Sequence, residues 1–169
     1  MACVLSSTWT LGCRDKQGGI QKVYIGSWNS GLTYTSGTGS ITAFSGVTSS
    51  FYTFEQELDT ASFTQKSVPN TENGTNYYEQ TVSITLQGLD AATSDRIRIL
   101  DQGKWRIIVL DQNGKYWLAG KQNGVRTSES TPGVGKVGGD LNGAVITFIG
   151  REPAPAFECT AGSVTTLIV

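Results

Sequence analysis

The sequence contains no histidine, and this absence excludes whole classes of chemistry. Histidine is the commonest general base near neutral pH and a frequent zinc ligand. Without it, a Ser-His-Asp triad, a Cys-His nucleophile pair or a histidine-based zinc protease site cannot be assembled. Catalysis by carboxylates or lysine stays open, but no pattern indicates it. We therefore predict that the protein is not an enzyme.

Cysteine is scarce as well. The three cysteines, Cys3, Cys13 and Cys159, are an odd number and include no CxxC pair. Their spacing indicates neither a disulfide framework nor a zinc ribbon. We expect free thiols, although Cys3 and Cys13 could pair in an oxidising environment.

Long apolar runs are missing, because none approaches the roughly 18 residues that a membrane span requires. The first residues also lack the basic start and apolar core of a signal peptide, so we predict synthesis in the cytoplasm and no membrane span. Charge is sparse: charged residues make up 16% of the chain, and the net charge is −1. This balance gives no electrostatic basis for holding nucleic acid, so any contact with DNA is expected to be passage.

Glycine, serine and threonine are abundant, with 21 glycines in 169 residues. This composition is typical of β-structure with many turns, and the length suits one domain with a genuine core. We predict a mainly β fold over residues 1–169, an antiparallel β-sandwich or barrel with one flanking α-helix at about residues 90–102. We expect an irregular segment at residues 1–18 and long loops near residues 28–50 and 128–143.

The clearest pattern is the alternation in residues 77–87, YYEQTVSITLQ. It predicts a long strand with one apolar face, of which Gln80 is the single polar member. The opposite face is rich in hydroxyl groups and carries one charge, which suits a surface that borders water. This second face consists of Glu79, Thr81, Ser83, Thr85 and Gln87.

A helix is predicted directly after this strand. Thr93, Ile97 and Leu100 fall at the spacing of one helical face, with Asp90 as the expected N-cap and Gly103 at the carboxyl end. Residues 104–110, KWRIIVL, then predict a buried strand. Strand, helix and strand therefore form the centre of the chain.

The flanking segments predict further strands. Residues 51–57 and 61–66 are expected to form a hairpin, and an Asn-Gly turn places 61–66 beside 77–87 in a three-stranded meander. A second meander is expected from residue 104 onward, around the Asn-Gly pairs in the turns near residues 113 and 123. Residues 144–150 predict a buried strand, and the carboxyl-terminal SVTTLIV is β-prone.

Several short motifs resemble functional sites, but each has a simpler explanation. The GxGxxG at residues 133–138 lacks the preceding strand and following helix of a dinucleotide site. Residues 111–114 lack the later ligands of a calcium loop, and Glu55 with Glu57 suits a polar sheet surface better than glycosidase chemistry. We therefore predict no catalytic residue, cofactor or metal.

The chain resembles bacteriophage tail tube proteins, and more broadly virion structural proteins of phages that infect the Bacteroidetes group. The resemblance lies in MAC…GCRDKQGGIQKVYI, YYEQTVSITLQGLD, DQNGKYWLAGKQNG and GGDLNGAVITFIGREPAPAF. It implies a virion location, assembly with other virion proteins, and subunits that form stacked, six-membered rings. One sheet of each subunit would join a continuous inner barrel through which DNA passes during ejection.

Under this resemblance, the hydroxyl face of residues 77–87 would line the lumen, where a weakly charged wall lets DNA slide. Candidate subunit contacts are Trp9, Trp28, Tyr34, Phe44, Gly135 and Leu167. Two alternatives stay open. One is a capsid decoration or head–tail connector subunit, and the other is a carbohydrate-binding β-sandwich for host adhesion, suggested by the four tryptophans.

Overall fold

The structure is a computed structural model that describes residues 7–37, 39–46 and 50–169. These residues form eleven strands and two helices. In chain order the elements are β1 (Ile20–Ser27), β2 (Leu32–Ser36), β3 (Ser40–Gly46), β4 (Phe51–Glu55), β5 (Ser62–Asn70), β6 (Thr75–Gln87), α1 (Ala91–Gln102), β7 (Trp105–Asp111), β8 (Tyr116–Ala119), β9 (Arg126–Gly133), β10 (Gly143–Glu152), β11 (Phe157–Cys159) and α2 (Ala161–Thr165).

The strands form two sheets. One has seven strands in the order β2-β3-β11-β8-β7-β1-β4, and the other has four in the order β5-β6-β10-β9. A first core cluster joins side chains of both sheets, such as Val23 and Ile107 from one and Ile84 and Phe148 from the other. Strands make up 51% of the chain and helices make up 11%, so the predicted mainly β fold with a flanking helix is confirmed.

A second core cluster lies on the other face of the seven-stranded sheet. It contains Tyr24, Ile108 and Leu118 from that sheet and is covered by Val164 of α2 and Leu167 of the carboxyl-terminal tail. The seven-stranded sheet is therefore buried on both faces.

Helix α1 begins and ends where the sequence predicts. The Asp90 carboxylate accepts a hydrogen bond from the backbone N–H of Thr93 at 2.6 Å, which satisfies one of the free donors of the first turn. Ile97 and Leu100 are buried in the first core cluster, and the N–H of Gly103 closes the last turn on the carbonyl of Ile99. The helix packs beside β9 at one side of the sandwich.

The predicted hairpin of residues 51–57 and 61–66 is wrong. β4 pairs with β1 in the seven-stranded sheet, whereas β5 pairs with β6 in the four-stranded sheet. The connection between them carries the chain from one sheet to the other, with Asp59 at a φ of 61°. The predicted pairing of β5 with β6 is correct, but the third strand of this meander is β10, which pairs with the other side of β6.

Residues 28–50 are expected as a long loop with weak strands at 32–34 and 41–44, and these two islands form the antiparallel pair β2 and β3, in which Leu32 and Ile41 are buried. Two further segments fold differently from what their sequence predicts. The Ser- and Thr-rich start of the 128–143 loop belongs to β9, which pairs with β10, so the loop itself is residues 134–142. The carboxyl-terminal SVTTLIV forms most of α2 and then a single bridge from Ile168 to Phe51, whereas a strand was expected.

The described part of the amino-terminal segment, residues 7–18, is irregular as predicted. Every one of these residues is exposed, and we call this segment the arm. Gln17 ties its end to the β7–β8 turn, because Asn113 accepts from the Gln17 N–H at 3.0 Å and donates to the Gln17 carbonyl at 2.8 Å.

Candidate assembly surface

The four-stranded sheet has one face in the core and one face toward solvent. Along β6 the core face contains Gln80, Val82 and Ile84, each at most 1% exposed. On the opposite face, Thr81 and Ser83 are half-buried by their strand neighbours. The alternation predicted for this strand is thus the one observed. We call the solvent side of β5, β6, β10 and β9 the outer face.

Residues directly opposite each other in the register share a face, which defines the rest of the outer face. Ser83 lies between Ser62 of β5 and Thr147 of β10, and Thr81 lies between Thr64 and Ile149. The middle of the outer face therefore carries hydroxyl groups with some aliphatic side chains and no charge. These central residues are Ser62, Thr64, Thr81, Ser83, Thr85, Val145, Thr147, Ile149 and Thr131.

The charges of the outer face lie around this centre and nearly cancel. Glu79 lies opposite Lys66 of β5 and forms an ion pair with Arg151 of β10, with 3.4 Å between the Arg Nε and the Glu Oε2. Glu129 and Arg126 of β9 add one charge of each sign. Three cations and two anions leave a net charge of +1 on this face.

Two of the predicted lumen residues differ from the others. The Thr85 hydroxyl donates to the carbonyl of Thr60 at 2.9 Å, and its N–H donates to the Gln56 side chain at 2.9 Å. Thr85 is therefore partly covered by the β4–β5 connection of its own chain. Gln87, at the end of β6, is exposed. Of the predicted set, Thr85 is thus the residue bonded to its own β4–β5 connection, whereas Glu79, Thr81 and Ser83 are half-buried within the sheet.

The outer face ends at two free edges. Within the described ranges, the outer edges of β5 and β9 pair with no other strand. Neighbouring strands of this sheet are antiparallel, and β5 and β9 are the first and fourth strands, so they run in opposite directions. If the β5 edge of one copy met the β9 edge of another, the two would therefore be antiparallel, like every other pair in the sheet.

The edges are also staggered. Lys66, at the centre of β5, lies opposite Glu79. Glu129, at the centre of β9, lies opposite Thr147, which in turn lies opposite Ser83. The two edge centres are thus four residues apart along β6, which is about 14 Å at strand spacing.

The predicted subunit contacts fall into two groups. Trp9 is 92% exposed on the arm, and Gly135 lies in the exposed β9–β10 loop with a φ of 73°. Leu167 is 4% exposed in the second core cluster, so its own chain covers it. Tyr34 and Phe44 pack against the same cluster.

Trp28 and Tyr34 are held by contacts within the chain. The Trp28 indole N–H donates to the carbonyl of Gln122, and the Lys104 ammonium lies 3.6 Å from the centre of its ring. Lys121 lies 4.7 Å from the ring of Tyr34 and 3.6 Å from that of Phe157. Burial lowers the pKa of the Lys121 ammonium.

Two buried polar residues tie the sheets together, and the sequence marks only the first of them, as the polar exception on an apolar strand face. The Gln80 side chain, 1% exposed on the core face of β6, accepts from the N–H of Gly120 at 3.0 Å. Glu152, 3% exposed at the end of β10, accepts from the successive N–H groups of Gln122, Asn123 and Gly124 at 2.7 to 3.2 Å. Successive N–H groups in a turn form a concave anion site, and here the anion is the chain's own carboxylate.

Arg106 completes this buried polar group. It is 2% exposed, and its guanidinium donates to the carbonyls of Asn29 and Lys121. Burial lowers the pKa of Arg106, and the nearby charge of Glu152 offsets part of this effect. The only sequence sign of Glu152 and Arg106 is that each lies in a strand whose other residues are mostly apolar.

The motifs with possible chemistry do not converge. Within residues 7–37, 39–46 and 50–169, no group of three or more His, Cys, Asp or Glu side chains could hold a metal. Gly133 ends β9 and is followed by a loop, and Glu55 pairs with Lys22 at 2.9 Å. Burial raises the pKa of the Cys159 thiol to about 12, whereas Cys13 is exposed on the arm. Cys3 lies outside the described residues.

In the part of the chain that the structure describes, neither helix has the length and apolar character needed to cross a bilayer. No protein-family model, curated protein or solved structure matches this chain.

Proposed function

We propose that the chain is a structural subunit of a phage tail tube, whose four-stranded sheets join edge to edge into the wall of a DNA conduit. The observation that carries this proposal is the combination of an open, nearly neutral outer face with two free edges of opposite direction. An exposed sheet edge invites pairing with another chain, and closure into a barrel is the arrangement that removes it.

The stagger between the edges supports closure. If Lys66 of one copy lies opposite Glu129 of the next, each copy is shifted by about 14 Å along the strand direction. The four strands of one copy are about 19 Å wide across the sheet. The strands would then tilt by about 36° from the axis, within the usual 35–45° of β-barrels. Six copies would give 24 strands, and barrels of 16 strands or more leave an open channel.

The chemistry of the outer face supports the same proposal. A conduit for DNA must not hold the polyanion, and each lysine or arginine that contacts phosphate strengthens binding through counterion release. The uncharged centre around Thr81 and Ser83 avoids this attraction. Glu79 and the two cations beside it offset one another at one end of the face.

Carbohydrate binding has less support. A sugar platform needs aromatic rings open to solvent, but the indole N–H groups of Trp28, Trp105 and Trp117 each donate to an acceptor within the chain. Trp9 is the one tryptophan that is nearly fully exposed. A decoration or connector subunit is distinguished from a tube subunit by the form of its assemblies.

Electron microscopy of the purified protein tests the proposal. Stacked rings or tubes are expected, whereas monomers or discrete rings that never stack would contradict it.

A charge swap tests the joint, which is the proposed contact between the β5 edge of one copy and the β9 edge of the next. Lys66 and Glu129 would meet across it. Lys66→Glu or Glu129→Lys alone should suppress tubes, and the double variant should restore them. If all three variants assemble like the wild type, the joint is not formed by these edges.

The lumen assignment is tested separately by adding charge. Thr81→Lys with Ser83→Lys should leave tubes intact but make them retain duplex DNA at low salt, with retention lost as salt rises. A matched control adds two lysines at Thr33 and Ser45 of the β2–β3 hairpin, which are exposed elsewhere on the subunit. Equal retention by both variants would contradict a lumen at the outer face.

A further inference from the structure

An open cleft lies at one side of the sandwich, between β4, the end of β6 and α1. Its volume is about 870 Å³. The two sheets do not meet here, so apolar side chains that would otherwise face a strand border solvent. The apolar lining includes Ile25, Phe54, Leu86, Ile99, Leu100 and Trp105.

The cleft runs along a sheet edge with unused backbone groups. The N–H and C=O of Phe51 point away from β1, because they bond the carbonyl of Leu167 at 2.9 Å and the N–H of Val169 at 3.1 Å. Backbone groups alternate along a strand, so those of Thr53 and Glu55 point the same way. Within the described ranges, no strand pairs with β4 at these two residues, but the Glu55 carbonyl already accepts from the Gln56 side chain at 2.9 Å.

The arm has the pattern of a missing strand. In Thr8-Trp9-Thr10-Leu11 the apolar residues alternate with threonine, and threonine and tryptophan favour strands. Trp9 is 92% exposed and Leu11 is 96% exposed. The arm thus has two large apolar side chains on one face. A strand with this pattern could pair with a sheet edge and bury both side chains in an adjacent apolar cleft.

The position of the arm favours a second copy over its own chain. Gln17 ties the arm to Asn113 in the β7–β8 turn. β7 and β4 lie on opposite sides of β1, so the arm leaves the sheet on the side away from its own cleft.

We propose that the arm of one copy adds as a strand to the β4 edge of a second copy, with Trp9 and Leu11 entering the cleft. Backbone bonds to Thr53 and to the N–H of Glu55 provide the pairing, and the two apolar side chains provide specificity, as in other strand-addition complexes. This contact lies on the seven-stranded sheet. It therefore does not depend on the joint between β5 and β9, and either proposal can fail alone.

Cross-linking between two differently tagged chains tests this contact. Both carry Cys3→Ser and Cys13→Ser and keep the buried Cys159. One also carries Leu11→Cys, the other Ile99→Cys, at a cleft residue that is 48% exposed. A short bismaleimide should give a mixed dimer in several-fold higher yield than the matched control, in which Glu72→Cys at the distant β5–β6 turn replaces Ile99→Cys.

Adding Trp9→Ala to the Leu11→Cys chain should lower the yield toward that of the Glu72 control without changing the unfolding midpoint of the subunit. Three results would overturn the proposal. They are a yield no higher than that of the Glu72 control, a yield that Trp9→Ala does not change, and a cross-link that forms within one chain carrying both introduced cysteines when an excess of chain with neither is present.

Discussion

The two sheets of this protein bury their strands in different ways. In β7 of the seven-stranded sheet, five consecutive residues from Arg106 to Leu110 are buried. In β10 of the four-stranded sheet, burial alternates, so Phe148 is buried and Ile149 is only half-buried. The first sheet has a core cluster on each face, whereas the second has one on a single face.

This difference separates what stabilises the subunit from what remains available to other chains. Side chains on both faces of the seven-stranded sheet are used within the chain. The outer face of the four-stranded sheet contributes little to the core, so its residues can vary in chemistry without unfolding the subunit. The proposed lumen lies on the face with this freedom.

The largest effect is expected from truncating neighbouring residues in each sheet. Ile107→Ala and Ile108→Ala should each lower the free energy of unfolding by about 2–5 kcal/mol, because the two residues are buried in opposite clusters. Phe148→Ala should cost about 3–5 kcal/mol. Ile149→Ala should cost less than about 1 kcal/mol. Urea unfolding of the four variants measures the contrast, and similar losses for Phe148→Ala and Ile149→Ala would show that the outer face is covered.

A smaller effect is expected where the two sheets are tied by polar contacts. Glu152→Ala removes the acceptor from three N–H groups of the 121–124 turn, of which that of Gly124 is buried, and a buried donor left without a partner costs about 1–3 kcal/mol. Glu152→Gln keeps one side-chain oxygen and should lose less. Hydrogen exchange should rise at Asn123 and Gly124 in the Ala variant. Unchanged exchange there would mean that the carboxylate does not hold this turn.

Acid should affect the region around the four-stranded sheet. Backbone N–H groups lower the pKa of Asp90, through Thr93, and that of Asp140, through Lys136 and Val137. The unfolded chain therefore binds protons more readily, so their contribution is complete above the ordinary value of 3.8 and is lost as pH falls through the lower folded pKa. Asp90→Asn with Asp140→Asn should flatten the loss of stability between pH 5 and pH 3. An unchanged slope in urea titrations would assign that loss to other carboxylates.

The smallest effect is expected on the outer face itself. Thr81→Val keeps the side-chain volume nearly constant at a half-buried position and should change the free energy of unfolding by less than about 0.5 kcal/mol. Thr85→Val is the matched comparison, because it removes the bond to the Thr60 carbonyl and should cost about 1 kcal/mol. Equal losses in thermal unfolding would contradict the difference between these two neighbours.

Local signals predicted several elements well. The alternation of β6, the cap at Asp90 and the turn between β7 and β8 each depend on residues close in sequence. The same alternation marks Gln80 as the polar exception on the core face, but it does not indicate its partner, the N–H of Gly120, which is 40 residues away.

Long-range pairing explains the errors. β9 consists mostly of Ser, Thr, Glu, Pro and Gly, a loop-like composition, and is a strand because β10 lies beside it. The connection from β4 to β5 has the length of a hairpin, yet β4 finds its partner in β1. The Glu152 site also requires the 121–124 turn, which no local pattern links to the end of β10.

The position of β10 has a consequence for synthesis on the ribosome. β9 is made before β10, and its only described strand partner is β10, which also lies against β6. Until translation passes Glu152, β9 lacks the strand that it pairs with in the folded chain, whereas β5 and β6 are already made. The β9 edge of the proposed joint therefore becomes available only in a late step, which limits pairing of β5 with β9 between unfinished chains on neighbouring ribosomes.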